Sequence, residues 1–275
     1  MTVRRCFAVV LFGTIAIGCA GPARADVLKR CVDSISDRQI LVCSMAIESN
    51  LLNDAQRSEA YAIRGIRYAH SGQPKQALAD FNESVRLAQN SAIAYIIRGH
   101  FFLDTKQYDR AIKDYSEATR LQPTNSQASA RRGAAYLRTG RFKEALSDLQ
   151  VAARLKPDDP NILNDRGTTY FGMGEIDLAI KDYTEAIRLD PLSAGNYYNR
   201  GNAFALSNRL AEALVDLSEA IRLRPDHANA YYNRGVIHAL NGNREQAIAD
   251  LREALRLDPT HDGAKHGLVS LGAGG

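Results

Sequence analysis

His100 and Asp104 stand four residues apart, a helical spacing that lets an imidazole and a carboxylate reach one metal ion, with His70 available upstream as a third ligand. A surface histidine pair produces the same pattern without any metal, and we prefer that reading. His261 and His266, five apart on a short segment, make a weaker set. No metal or other cofactor is therefore expected. Four cysteines are present and none falls in a CxxC pair, so neither redox catalysis nor zinc is indicated. The sequence has no GxSxG, HExxH or P-loop, and no catalytic residue is assigned. Its acids follow a fixed period, as scaffold charges do, and an enzyme is not expected.

That period belongs to the elements that position these groups. Glycine recurs at Gly65, Gly99, Gly133, Gly167, Gly201 and Gly235, always 34 residues apart. Alanine keeps the same register at Ala77, Ala111, Ala145, Ala179, Ala213 and Ala247. An aromatic follows each glycine at Tyr68, Phe102, Tyr136, Tyr170 and Phe204, until His238 breaks the series. Proline closes each copy at Pro123, Pro157, Pro191, Pro225 and Pro259, with Gln89 in its place in the first. Within one copy, Tyr197, Gly201 and Phe204 lie on a single helical stripe. Asn208 then breaks the helix where other copies have Gly72, Gly140, Gly174 and Gly242, residues suited to a left-handed helix stop. Ala213, Leu217, Ala220 and Ile221 form one face of a second helix. The small residues at Gly201 and Ala213 let the two antiparallel helices approach closely. A single hairpin is too thin to bury its own apolar face, so neighbours must stack.

In its 34-residue period and its order of aromatic, Gly, aromatic, Ala, aromatic-or-Leu, Ala and Pro, the sequence strongly resembles the tetratricopeptide repeat (TPR) family over about residues 58–261. The resemblance implies an all-α fold, a right-handed superhelical solenoid of six TPR helix-turn-helix repeats. Ser84 in place of alanine, and Ser129 and Leu163 in place of the first aromatic, fit local repacking. The expected organisation is a signal peptide over 1–25, a degenerate N-terminal hairpin or cap over 26–57, six repeats over 58–261, and a capping helix with a frayed tail over 262–275. One period upstream of Gly65 and Ala77 stand Cys31 and Cys43, with Ser36 and Asp37 as the turn between them. A disulfide there would staple a first hairpin that lacks an outer neighbour. Residues 50–58 read as a slightly expanded loop.

Charge is placed more strictly than the core. Arg64, Arg98, Arg132, Arg166, Arg200 and Arg234 precede the glycines, and Asp80, Asp114, Asp148, Asp182, Asp216 and Asp250 follow in matching register. A basic ladder of ligand contacts would have little reason to carry an acid each time, so Arg–Asp pairing within the scaffold is expected. A further arginine near the end of each second helix complements the helix dipole.

By resemblance to the TPR fold, the first helix of each repeat lines a concave groove. Its exposed face carries Asn161, Asn164, Thr168 and Phe171 in the fourth repeat, then Tyr198, Asn199, Asn202 and Leu206, then Asn229, Tyr232, Asn233 and Val236. Apart from Asp165 this surface is uncharged. Amides can bond both N–H and C=O of a peptide, and tyrosine adds apolar area with a polar tip. Asn199 and Asn233 look like the asparagine ladder that some TPR proteins use. The family's clamp for a C-terminal carboxylate does not fit, because Tyr198 stands where its first lysine belongs. The expected function is a scaffold or adaptor binding an extended peptide or partner protein. A small-molecule or metal carrier or sensor using the same groove is the alternative, and a groove merely solvated and bonded to itself is the bland one.

Arg4 and Arg5, the apolar run Cys6 to Ala20 and the small-x-small site Ala23-Arg24-Ala25 read as a secretory signal cleaved after Ala25. An uncleaved anchor, or a lipoprotein signal acylated at Cys19, are the other readings, and a membrane partner is expected only with that lipid. Removing residues 1–25 lowers Lys+Arg from 35 to 32 against 31 acids and leaves a net charge of +1. No single-sign field remains to steer nucleic acid, which is not expected as a partner. Export, most simply to a bacterial periplasm, makes a Cys31–Cys43 disulfide the expected state. Resemblance to periplasmic TPR proteins implies envelope assembly or recruitment of peptidoglycan enzymes as the setting.

Overall fold

The computed structural model describes residues 22–33 and 38–274, with backbone alone for residues 22–26. The signal segment up to residue 21, Cys19, the Ser36-Asp37 turn and Gly275 lie outside the described residues. The described chain holds 15 α-helices and no strand, and its fold is an all-α repeat solenoid. It falls into two compact units, one ending at Gln89 and the other starting at Asn90.

The first unit contains α1 (Pro22–Asp33), α2 (Gln39–Glu48), α3 (Asp54–His70) and α4 (Pro74–Leu87). A disulfide joins Cys31 to Cys43 across α1 and α2, with Cα atoms 4.7 Å apart. Both cysteines are fully buried against Ala46, Leu52, Ala60 and Ile63. The loop expected over 50–58 is shorter than the sequence suggested, because α3 already starts at Asp54. Asn53 causes this: its side chain accepts from Gln56 N at 2.9 Å while Gln56 Oε1 accepts from Asn53 N at 3.1 Å. That reciprocal cap satisfies two amides that would otherwise be unpaired.

The second unit runs α5 (Ala92–Asp104), α6 (Tyr108–Leu121), α7 (Ser126–Arg138), α8 (Phe142–Leu155), α9 (Pro160–Gly172), α10 (Ile176–Leu189), α11 (Ala194–Leu206), α12 (Leu210–Leu223), α13 (Ala228–Leu240), α14 (Arg244–Leu257) and α15 (Asp262–Ser270). Odd-numbered helices from α5 to α13 are the first, or A, helices of five hairpins, and α15 occupies the same place after the last. Each A helix packs on its own partner, on the preceding second helix where the unit supplies one, and edge-on against the next A helix. Burial is thus local and repeats with the sequence.

The hairpins close because the repeated glycines leave no Cβ. At Gly167 a Cβ would lie 2.8 Å from the Tyr183 ring, and at Gly99 2.8 Å from Tyr115. Tyr115, Tyr183, Leu149, Leu217 and Leu251, each 16 residues after a repeated glycine, are among the largest fully buried side chains. The turns reverse through left-handed residues, as the Gly and Asn spacing predicts, and Asn208 has φ 60°. The second repeat differs: Lys106 takes that conformation at φ 59° without being Gly or Asn.

All six Arg–Asp pairs form inside their own hairpins, with guanidinium Nε and Nη2 on the two carboxylate oxygens. Arg200 to Asp216, at 2.7 and 2.9 Å, is representative. The aspartates are 3–7% exposed. In the third, fifth and sixth repeats the third nitrogen also reaches back to the preceding second helix. Arg132 Nη1 donates to Ser116 at 3.2 Å and Thr119 at 2.9 Å, Arg200 to Thr184 at 3.2 Å, and Arg234 to Ser218 at 3.1 Å. One side chain therefore ties a hairpin together and docks it on its neighbour.

Candidate functional site

The A-helix face of the second unit brings the sequence-selected residues into three groups and leaves two outside them. On α9 and α11, Asn164 Nδ2 donates to the buried Asn196 at 2.8 Å, and Asn199 Nδ2 donates to Asn164 Oδ1 at 3.4 Å. Thr168 is half-buried below them, donating to Asn164 O at 2.9 Å and accepting from Tyr183 Oη at 3.2 Å. On α11 and α13, Asn233 Nδ2 donates to Asn202 Oδ1 at 2.7 Å and to Tyr198 Oη at 3.4 Å. Between α13 and the cap residue before α15, Asn229 Oδ1 meets His261 Nε2 at 3.1 Å.

Asn161 stays apart at the start of α9. It is exposed, and its backbone N–H bonds the Asp159 cap at 3.0 Å. Phe171 packs into the apolar cluster of Ala179, Tyr183 and Ala203 and presents only part of its ring. Tyr198 and Tyr232 are held as well: Tyr198 lies 4.5 Å from the His227 ring, and Tyr232 4.5 Å from the His261 ring. His227 and His261 are one repeat apart, so the periodic signal was present, but the first-helix register alone did not reach these loop positions. Asn196 was missed because it points between helices.

Part of three amides is left for a ligand. Asn164 spends both ends of its amide, on Asn196 and on Asn199, whereas Asn199, Asn202 and Asn233 each spend one end. Asn199 Oδ1, Asn202 Nδ2 and Asn233 Oδ1 make no hydrogen bond among the described residues. The face thus presents acceptor, donor and acceptor on successive A-helix positions, each fixed through the other end of its amide.

The next hairpins carry charge. Burial raises the Asp165 carboxyl to about 6, although Arg131 and Arg138 act against the rise. Burial lowers His100 to about 4, with Arg131 adding to the effect, and lowers His227 to about 4 in the same way, with Arg224 adding. His100 therefore stays neutral at pH 7 and faces the Tyr115 ring at 5.8 Å. Among the described residues no three metal-ligating side chains come together.

Family models described as "TPR repeat" match residues 169–208 and 201–242, and others described as "Tetratricopeptide repeat" match 64–126, 98–160 and 228–261. A comparison with curated proteins found no match. Among solved structures, YrrB, described as a TPR protein with an unusual peptide-binding site, is 26% identical, with a TM-score of 0.55 over 68% of this chain and 96% of its own. A TPR protein from Parabacteroides merdae ATCC 43184 is 16% identical, with a TM-score of 0.69 over 91% of this chain and 99% of its own. The Cut9–Hcn1 hetero-tetramer of APC/C is 22% identical, with a TM-score of 0.71 over 90% of this chain and 52% of that one. These last two likenesses concern the fold. With the family's models covering most of the repeats and its hairpin geometry repeated through both units, the chain belongs to the tetratricopeptide repeat family.

Proposed function

We propose that this chain is a non-catalytic interaction module whose A-helix face binds an extended segment of a partner protein through its main chain. The observation that carries the reading is the column of unmet amide groups at Asn199, Asn202 and Asn233. A peptide offers N–H and C=O in alternation, and a fixed acceptor–donor–acceptor column matches that alternation without reading side chains. Because the amides are already held in place, little further ordering opposes binding. Exposed Leu206 and Leu240 at the ends of α11 and α13 add apolar contact area. The similarity to YrrB, whose description names a peptide-binding site, supports the same reading.

The proposed setting is an exported one. The N-terminal basic and apolar pattern and the Cys31–Cys43 disulfide support it. No helix among the described residues is long and apolar enough to cross a membrane. Cleavage after Ala25 falls inside α1 and leaves Asp26–Asp33 to carry Cys31.

Capture from cell-envelope extract, read by mass spectrometry, tests the interaction. The wild-type chain should retain a defined protein that the combined Asn199→Ala, Asn202→Ala, Asn233→Ala variant loses by more than tenfold, since three hydrogen bonds at roughly 1 kcal/mol each disappear. Equal retention by both would remove the groove from the reading.

A further inference from the structure

In the first unit, α2 presents an outer surface that breaks with the second helices that follow it. From Gln39 to Ile47 it holds no charged residue. Its two polar side chains in that stretch turn toward the protein. Gln39 is buried and donates to Cys31 O at 2.9 Å. Ser44 donates to Ile40 O at 2.8 Å and accepts from Arg64 Nη1 at 2.8 Å. Leu41 and Met45 face water instead, each 62% exposed. At whole periods after Leu41 stand Lys75, Asp109, Lys143, Asp177, Ala211 and Glu245, all exposed. The places matching Met45 hold alanine, serine or lysine, except for Val215 in α12. A position given to charged or small residues elsewhere thus carries two large apolar side chains on α2. A helix apolar on its outer side as well as its inner one needs a cover there.

The order of residues along this stripe says what covers it. Arg38, Leu41, Met45 and Glu48 follow at intervals of three, four and three residues, one helical face, and all are exposed. Arg38 already has helical backbone angles as the cap of α2. Cys43, midway along, points the opposite way and is fully buried in its bond to Cys31. The stripe is therefore symmetric about residue 43. Reversing its direction exchanges Leu41 with Met45 and sets arginine against glutamate at both ends. A two-fold axis performs that reversal, since in an isologous contact a patch meets its own inverted copy.

We infer that the outer stripe of α2 docks on the same stripe of a second copy of this chain, antiparallel, about a two-fold axis over residue 43. Leu41 packs on the partner's Met45, and Arg38 pairs with the partner's Glu48. The disulfide beneath ties α2 to α1 and presents the stripe as a fixed surface. A lipid surface would favour cations beside the apolar residues and has no use for Glu48. One pair of crossing helices is a small contact of the kind found in weak complexes, so the dimer depends on concentration.

Sedimentation of the purified, disulfide-bonded chain tests this. Wild type should pass from monomer to dimer as its concentration rises through the micromolar range. Met45→Lys puts at this place the residue that α6 and α10 carry there, so the fold tolerates it, and it should weaken association by more than about tenfold. Arg38→Glu alone and Glu48→Arg alone each set like charges together at both ends and should stay monomeric where wild type dimerises. Mixed in equal amounts, those two variants regain opposite charges at both ends and should dimerise with each other. A wild type that stays monomeric, or a dimer that Met45→Lys leaves unchanged, would overturn the proposal. A mixture that stays monomeric would overturn the antiparallel register. A monomeric wild type that binds vesicles of phosphatidylethanolamine and phosphatidylglycerol would give the stripe to lipid and overturn the second copy as its occupant.

Discussion

The Arg–Asp pair is the smallest unit that explains why this sequence repeats so strictly. A carboxylate 3% exposed, as at Asp216, needs a partner whose hydrogen bonds replace those of water. Arg200 supplies two and gives its third nitrogen to the preceding helix. Replacing Arg200 by Met keeps the packing and removes the charge, and should cost about 3 kcal/mol in urea unfolding. The pairing was legible in the sequence because both partners keep the period. The third contact was not, because Ser116, Thr184 and Ser218 are small hydroxyls without a strict column of their own. Titration adds a second expectation at this scale. His100 and His227 are held near 4, below their unfolded value, so the unfolded chain binds more protons between those limits. Stability should fall as pH drops from 7 to 4.5. His100→Phe, which keeps a ring against Tyr115, should lessen that fall by about 1 kcal/mol after allowance for partial exposure.

Helix starts and stops follow from few residues. Asn53, Ser91, Asn125 and Asp159 cap their helices through side chains, and left-handed residues end the A helices. The hydrophobic stripes and the Gly and Asn stops were readable directly. The early start of α3 was not, because it depends on the Asn53–Gln56 exchange and not on apolar spacing. Lys106 is the local exception: a residue with a Cβ held at φ 59° where four other repeats use glycine. Lys106→Gly relieves that strain and should raise stability by up to about 1 kcal/mol, visible as a higher midpoint in thermal unfolding. The A-helix face shows the limit of pattern reading at this scale. Register alone identified the asparagines, but which end of each amide is spent emerged only from the partners.

At the scale of the whole molecule, stacked hairpins place stability in each unit and in its immediate neighbours. The ends are closed differently. In the second unit, α15 covers the last hairpin with Ala264 and Leu268 and turns Asp262, Lys265 and His266 outward. In the first, the Cys31–Cys43 bond holds the outermost hairpin, whose α2 packs on α3. Reduction, or the double change Cys31→Ser, Cys43→Ser, should weaken the first unit by roughly 2–3 kcal/mol and leave the second unit's hydrogen-exchange protection unchanged. Both cysteines were legible as repeat positions one period before Gly65 and Ala77.

Main-chain recognition rests on the amide column, and side-chain NMR of Asn199, Asn202 and Asn233 during titration with blocked octapeptides tests it directly. All three amide signals should shift in a saturable way, and the same peptides with N-methylated backbones should leave them unmoved. Equal shifts with methylated and unmethylated peptides, or binding that moves none of the three, would contradict main-chain recognition on this face.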